Sequence, residues 1–202
     1  IHVKIAEKFS NPKRAIAVCI VPTAWCLARP YKRKKVVVET ENPAKMMEQC
    51  PLCRSNTNHF ETGPTGVRYF KCDKCFLLFT HRTALPSFET EKARYETHNN
   101  SPNDAGYVSF LNRAVQPTLA YLHADDAVLD YGCGPGPAVE FILQKEGIAV
   151  TNYDPIFFPA LPNQKFDAVI ATECIEHFHQ TADEFDKMLR FLKPGFGHLV
   201  LP

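Results

Sequence analysis

An acidic residue followed by three alternating glycines lies near the middle of the chain, in the segment Asp130-Tyr131-Gly132-Cys133-Gly134-Pro135-Gly136. The apolar residues before Asp130 predict a short buried strand, and an apolar stripe over 139–143 predicts a helix that begins near Pro137. Glycines at such a turn let a nucleotide-like ligand approach the backbone where a Cβ would clash. The segment therefore predicts the first unit of a doubly wound α/β domain, with a ligand at the turn.

A second acidic residue, Asp154, follows the next predicted strand, 148–153. An acid at this position is placed to accept hydrogen bonds from two ribose hydroxyls. The pattern differs from a dinucleotide fingerprint, because Pro137 stands where the third glycine would fall and Asp130 would repel a pyrophosphate. The same acid suits a cationic amino-acid group. We expect Asp154 to be exposed in the cleft, so that Asp154→Ala weakens ligand binding more than folding.

Four cysteines form two close pairs, Cys50 with Cys53 and Cys72 with Cys75, in the spacing C-x2-C-x18-C-x2-C. Each pair can form a tight turn that directs two sulfurs at one centre, so the spacing predicts a closed tetrahedral zinc site in a ribbon with strands over 67–71 and 76–80. A redox dithiol is the alternative for such a motif, but it needs only one pair. A ribbon of about 30 residues has little core, so we expect it to need its metal to fold.

The later segments complete an α/β pattern. They predict a buried strand over 166–172, a helix over 182–192, a Leu-Lys-Pro-Gly turn and a strand over 197–201. With the D-x-G-x-G-x-G turn, this order resembles the class I S-adenosylmethionine-dependent methyltransferases over about residues 46–202. The ribbon and domain together are similar to a group of bacterial methyltransferases of largely unassigned substrate. The resemblance implies that S-adenosylmethionine contacts Asp130, Gly132, Gly134, Gly136, Asp154 and Glu173.

The implied fold is a Rossmann-like doubly wound sheet, incomplete and of about five strands, preceded by a small zinc ribbon. Only 12 residues separate Asp154 from Asp167, which leaves no room for a full third strand between two helices, so that strand is expected to be vestigial. Phe157 and Phe158 either pack against adenine or belong to the core. Since the sequence given ends at the fifth strand, we expect a C-terminally truncated domain that lacks the family's sixth and seventh strands.

The N-terminal segment differs in charge from the rest. Residues 1–45 carry a net charge of +7, and the remaining 157 residues carry −6. A signal peptide and a basic arm for nucleic acid are alternatives, but an upstream extension without a fold, before an initiator at Met46 or Met47, is favoured. We therefore predict four parts: an extension (1–45), a ribbon (46–82), a helical linker or lid (83–124) and a partial cofactor domain (125–202).

Glu173, Glu176 and His177 follow the predicted strand at the position where the family holds the methyl group. Methyl transfer is an in-line displacement, so an enzyme mainly supplies positioning, exclusion of water and a base. His177 is the candidate general base. A divalent ion held by these three residues is a second interpretation, and a helix cap is a third. In the linker, Tyr95, His98 and Tyr107 are lid candidates, with a solvated polar loop as the alternative.

The predicted function is methyl transfer to a small-molecule acceptor. An RNA methyltransferase is one alternative, although the acidic balance of residues 46–202 argues against nucleic acid. A catalytically incomplete module for cofactor binding or zinc-mediated interaction is another. Paired cysteines that stay reduced to bind a metal predict a cytoplasmic protein. No apolar run is long enough to span a membrane, and the sequence leaves the oligomeric state open.

Overall fold

The structure is a computed structural model, and it describes residues 17–20 (backbone only), 47–63, 65–97, 100–195 and 197–201. These residues form two compact units. One, here called the sheet unit, comprises 17–20, 88–176 and 185–201. The other, the ribbon unit, comprises the described parts of 47–87 together with 177–184.

Nine strands and four α-helices are present in the part of the chain that the structure describes. The strands are β1 (Ala17–Ile20), β2 (Met47–Gln49), β3 (Asn56–Thr62), β4 (Arg68–Lys71), β5 (Leu78–Thr80), β6 (Ala127–Tyr131), β7 (Ala149–Tyr153), β8 (Ala168–Ile170) and β9 (His198–Leu201). The helices are α1 (Phe88–Glu96), α2 (Ala105–Val115), α3 (Ala138–Gln144) and α4 (Thr181–Phe191).

The sheet unit contains one parallel sheet in the order β1-β9-β8-β6-β7. Strand β6, which ends in the glycine turn, lies between β7 and β8, so that Asp130 is paired with Asn152 on one side and Ile170 on the other. The carboxyl ends of parallel strands meet at one edge of the sheet, which brings the loops after β6, β7 and β8 together. The predicted α/β fold with a parallel sheet is confirmed.

One edge of the sheet agrees with the expectation from the sequence, and the other does not. Residues 154–167 contain no strand, so β7 is an edge strand, in agreement with the vestigial third strand expected from the short spacing. At the other edge, β1 pairs in parallel with β9 over four residues. This strand lies inside the segment 1–45 that was predicted to lack a fold, and a four-residue pairing across almost the whole chain has no local sequence signal.

Both faces of the sheet are buried, as parallel sheets require. On one face, Val128, Ile170 and Val200 pack in a cluster with apolar residues of α2 and α3. The alternating residues Leu129, Val169 and Leu199 are in register on the opposite face and are also fully buried, as is Met188 of α4. At about 25 cal/mol per Å² of apolar surface, this burial is the main stabilising contribution to the unit.

The ribbon unit contains an antiparallel sheet in the order β2-β3-β4-β5. Its small core centres on Phe70, which is 1% exposed and stacks on Phe79 with ring centroids 5.6 Å apart. The predicted strand over 76–80 begins two residues later than expected, because Phe76 has φ of 62° and belongs to the turn after Cys75. Strands β2 and β3 were not anticipated, since their sequences are mostly polar.

Within the described ranges, none of the helices combines the length and the apolar character needed to cross a bilayer. The longest α-helices there, α2 and α4, have 11 residues each.

Candidate cofactor-binding site and metal centre

The turn after β6 has a backbone that demands glycine at two positions. Gly132 and Gly134 have φ of 78° and 64°, in the left-handed region that side chains disfavour. A Cβ at Gly132 would also lie 2.6 Å from Cβ of Cys174, the residue after Glu173. The Gly132 amide donates to the Tyr153 carbonyl at 2.7 Å, which ties the turn to the end of β7. The turn is therefore fixed to both neighbouring loops.

Gly136 is required for a different reason. A Cβ at this position would lie 1.8 Å from the backbone oxygen of Asn100 and 3.3 Å from Cα of Ser101. The chain just before α2 therefore crosses directly over the last glycine of the turn. We call residues Asn100 and Ser101 the strap.

Asp130, the acid that precedes the turn, is 1% exposed. Its Oδ1 atom is buried and has no hydrogen-bond partner among the described residues. Burial raises the pKa of Asp130 to about 8, with further contributions from the charges of Asp154 and Glu140. A buried acid lacking a partner at the bottom of a glycine turn is the feature that a cationic ligand group would satisfy.

Asp154 occupies the predicted position after β7, but its surroundings differ from expectation. It is 8% exposed rather than open to the cleft. Its Oδ1 accepts the amides of Ile156 and Phe157 at 2.8 and 3.0 Å, and its Oδ2 accepts the Gly134 amide at 3.1 Å. The carboxylate therefore holds both its own loop and the glycine turn, and the expectation that folding is insensitive to its loss is corrected.

Two lid candidates lie close to these acids. The pKa of Tyr107 is raised to about 12 by burial and by the charges of Asp130 and Glu173. The pKa of Tyr95 is raised by burial and by nearby acids that include Asp154, and its ring meets Phe157 edge-on with centroids 6.4 Å apart. The third candidate, His98, lies outside the described residues.

Glu173 follows β8 and is exposed, with φ of 52°. A residue with a side chain held in the left-handed region is strained, and such strain is concentrated at functional sites. Glu176 is exposed and His177 half-buried, both in a short 3₁₀ turn, Ile175–His177. The divalent ion at Glu173, Glu176 and His177 and the role of His177 as a base stay predictions.

The four predicted zinc ligands come together in the ribbon unit. Among the described residues, Cys50, Cys53, Cys72 and Cys75 are the only group of three or more His, Cys, Asp or Glu whose ligand atoms all lie within 4.8 Å of one another. The Sγ atoms of Cys50 and Cys75 are 3.4 Å apart, as are those of Cys53 and Cys72. Four sulfurs bound at about 2.3 Å in a tetrahedron lie about 3.8 Å apart. The residues fit a zinc ion.

The two cysteine pairs form equivalent turns. The amide of Arg54 donates to the Cys50 carbonyl and that of Phe76 to the Cys72 carbonyl, each at 2.8 Å. In each turn, the amide of the second cysteine lies 3.5 Å from the sulfur of the first. Arg54 and Phe76 have φ of 58° and 62°, so each turn ends in a left-handed residue that is not glycine.

Comparison with known proteins finds a family-model match in the second half of the chain. Residues 104–202 match the family model described as "Methyltransferase domain". No curated protein matches the chain by sequence.

Solved structures that resemble the chain include the plantazolicin methyltransferase BpumL in complex with SAH, with 15% identity, a TM-score of 0.35 and coverage of 55% of this chain and 51% of that one. BpumL with a triazolic desmethylPZN analog and SAH has 16% identity and a TM-score of 0.34, with the same coverages. The chain thus spans about half the length of these structures.

The parallel sheet, the glycine turn after β6 and the acid after β7 define a Rossmann-like cofactor domain. Residues 104–202, which contain most of these elements, match a model of a methyltransferase domain, and the four-cysteine cluster fits a zinc ribbon.

Replacing Phe76 by glycine should stabilise the ribbon unit. The ring is 73% exposed, so little packing is lost, and the left-handed backbone no longer carries a Cβ. Relative to Phe76→Ala, which keeps the strain but removes the ring, we expect a gain of about 1 kcal/mol. Hydrogen exchange of the β3 and β4 amides measures this as about fivefold slower exchange. Equal exchange in the two variants would contradict it.

Asp154→Ala should destabilise the protein by roughly 2–4 kcal/mol, because three backbone amides lose a charged acceptor. Denaturant unfolding followed by circular dichroism measures the loss. Asp125→Ala, at an exposed acid in the turn before β6, is the matched control and should stay within about 0.5 kcal/mol of the parent. If both variants unfold at the same denaturant concentration, the Asp154 carboxylate does not hold the turn.

Proposed function

We propose that this chain binds S-adenosylmethionine and transfers its methyl group to a small-molecule acceptor. The observation that supports this most directly is the buried Asp130 carboxyl, with an unpartnered oxygen, under a turn where side chains are sterically excluded. The family match over residues 104–202 supports the reaction class. The acceptor is inferred from the acidic balance of residues 46–202, which disfavours nucleic acid.

In this proposal the glycine turn, Gly132, Gly134 and Gly136, lets the cofactor lie against the backbone. Asp130 faces the cationic amino-acid end. Asp154 Oδ2 accepts one amide, that of Gly134, and has a second lone pair. This oxygen accepts a hydrogen bond from a ribose hydroxyl. Glu173, in the loop after β8, makes a charged contact to the cofactor. Tyr95 and Tyr107 limit the access of water from the α1 and α2 side.

When bound, the cofactor would supply a methyl group activated by its sulfonium sulfur: the nucleophile of the acceptor would bond to that carbon in line as the carbon–sulfur bond breaks and the neutral thioether leaves. The protein's part is to position the two reactants and to accept a proton from the acceptor where the nucleophile carries one. We propose that His177 accepts this proton as the general base. His177→Ala should then lower turnover without changing the affinity for the cofactor.

The four cysteines are proposed to hold one structural zinc ion, because four thiolates close the coordination shell and leave no position for a substrate. Thiolates kept for a metal are consistent with a cytoplasmic location, which is part of the proposal.

The parent protein should bind S-adenosylhomocysteine in calorimetry. Glu173→Gln should weaken this binding about two- to tenfold, because one charged contact to the cofactor becomes neutral. Glu146→Gln, at an exposed acid after α3, is the matched control and should leave the affinity unchanged.

Absence of binding by the parent protein would overturn the cofactor assignment. Binding without transfer of a labelled methyl group to any component of a metabolite extract would favour the incomplete module instead. Transfer of the label to RNA rather than to small molecules would replace the proposed acceptor class.

Elemental analysis of the reduced protein should give one zinc per chain. Cys72→Ser should lose the metal and unfold the ribbon unit, while circular dichroism of the α/β unit stays close to that of the parent, because the two units have separate cores. Metal-free parent protein with an ordered ribbon would contradict the proposed role of zinc.

A further inference from the structure

A second buried oxygen without a partner lies beside Asp130. Asn152 is the residue of β7 directly opposite Asp130 of β6, so the two side chains emerge on the same face of the sheet. Among the described residues, neither Asp130 Oδ1 nor Asn152 Oδ1 has a hydrogen-bond partner, and both atoms are buried. Each such acceptor destabilises the folded state, because it has lost its water without gaining a donor.

The Asn152 amide is fixed by α3. Its Nδ2 donates to Glu140 Oε2 at 2.6 Å, and the other oxygen of Glu140 accepts Gln144 Nε2 at 2.8 Å. Because the nitrogen is committed to a carboxylate, the amide cannot turn over to offer a donor elsewhere. Asn152 Oδ1 is therefore fixed as an acceptor, on the same face of the sheet as the unpartnered acceptor of Asp130.

One proton satisfies both oxygens. A protonated Asp130 carboxyl is a donor, and Asn152, directly opposite on the neighbouring strand, holds an unpartnered acceptor on the same face of the sheet. Among the described residues, the two charged groups that act on Asp130 are both acids, Asp154 after β7 and Glu140 of α3. Tyr107 and Cys133 lie close enough to feel the charge of Asp130, and neither is a cation. Burial and these acids raise the pKa of Asp130 above neutrality.

We propose that Asp130 is a neutral carboxylic acid in the cofactor-free protein, donating its proton to Asn152, and that binding of a cationic cofactor expels this proton. In the step, the Asp130 O–H bond breaks, the proton passes to solvent and the carboxylate remains facing the cation. Charge is conserved, because the negative charge left on Asp130 balances the charge carried by the proton. The inference rests on the proposed cofactor.

The sign of the pH dependence follows from the raised pKa. Below about pH 8 the site must give up a proton to bind, so the affinity for S-adenosylmethionine rises with pH, by at most tenfold per unit, and levels above about pH 8. The amino group of the ligand titrates in a similar range, and it does so equally with any variant. The difference between the parent protein and Asp130→Asn isolates the carboxyl.

Calorimetry in buffers of different ionisation enthalpy tests the release directly. At pH 7 we expect close to one more proton released on binding to the parent than to Asp130→Asn. Glu140→Gln removes a charge near Asp130 and should move the midpoint of proton release to lower pH, whereas Glu146→Gln on the exposed turn after α3 should not. Binding with equal proton release in the parent and Asp130→Asn overturns the inference.

A measurement on the cofactor-free protein separates this inference from the proposed function. At pH 7 the infrared spectrum of the parent should contain a protonated-carboxyl band that Asp130→Asn lacks, whether or not any cofactor binds. Identical spectra overturn the inference even if the cofactor binds. Should Asp130→Asn fail to fold, loss of the band as the parent is titrated past pH 9 tests the same point, and a band that persists or never appears overturns it.

Discussion

The main constraint on the sheet unit is the burial of acidic side chains at the end of β6. Asp130, Asp154 and Glu140 surround the end of β6, and burial makes the repulsion that an ionised Asp130 meets from the other two larger than it would be at a surface. The structure reduces this cost by giving Asp154 three amides and Glu140 two side-chain amides, which leaves Asp130 as the least compensated of the three. Stability is thereby lowered where a ligand is expected, as is typical of binding sites.

The ribbon unit solves a different problem. With Phe70 at its centre and large apolar side chains such as Met47, Phe60 and Leu78 more than half exposed, its apolar burial is small for the number of residues ordered. Two left-handed residues with side chains, Arg54 and Phe76, add strain. A unit of this kind needs a cross-link at its centre, and the four sulfurs are arranged to bind a metal ion that would serve as that cross-link.

Local pattern predicted the parts of the fold that local physics controls. The cysteine spacing, the glycine turn and the apolar runs that became β6, β7, β8 and β9 were recognisable because each is a short-range constraint. Strand β1 was not, because its pairing with β9 joins distant parts of the chain. The polar strand β3 was missed, since its stability comes from its neighbours rather than from its own residues.

The candidate site was predictable in residue type but not in environment. Asp130 and Asp154 were both recognised as acids facing a ligand, yet burial and the amides around Asp154 depend on how the loops after β6 and β7 meet. Asn152 and Glu140 carried no signal, because an Asn in a strand and a Glu in a first helical turn are ordinary in sequence. Only the register of β6 with β7 places Asn152 beside Asp130.

The strap has a consequence for how the sequence can vary. Because the Asn100 carbonyl occupies the space of a Cβ at Gly136, position 136 is constrained by a backbone 36 residues earlier rather than by its own torsion angles. A Cβ built at Gly134 would meet no atom of the described residues within 4 Å, so the left-handed torsion angle is what constrains that position. Substitutions at the two glycines are therefore disfavoured for different reasons, a steric clash at position 136 and the backbone torsion angle at position 134. Moving the Asn100 carbonyl away would make room for alanine at position 136, whereas the left-handed backbone at position 134 disfavours a side chain whatever its neighbours are.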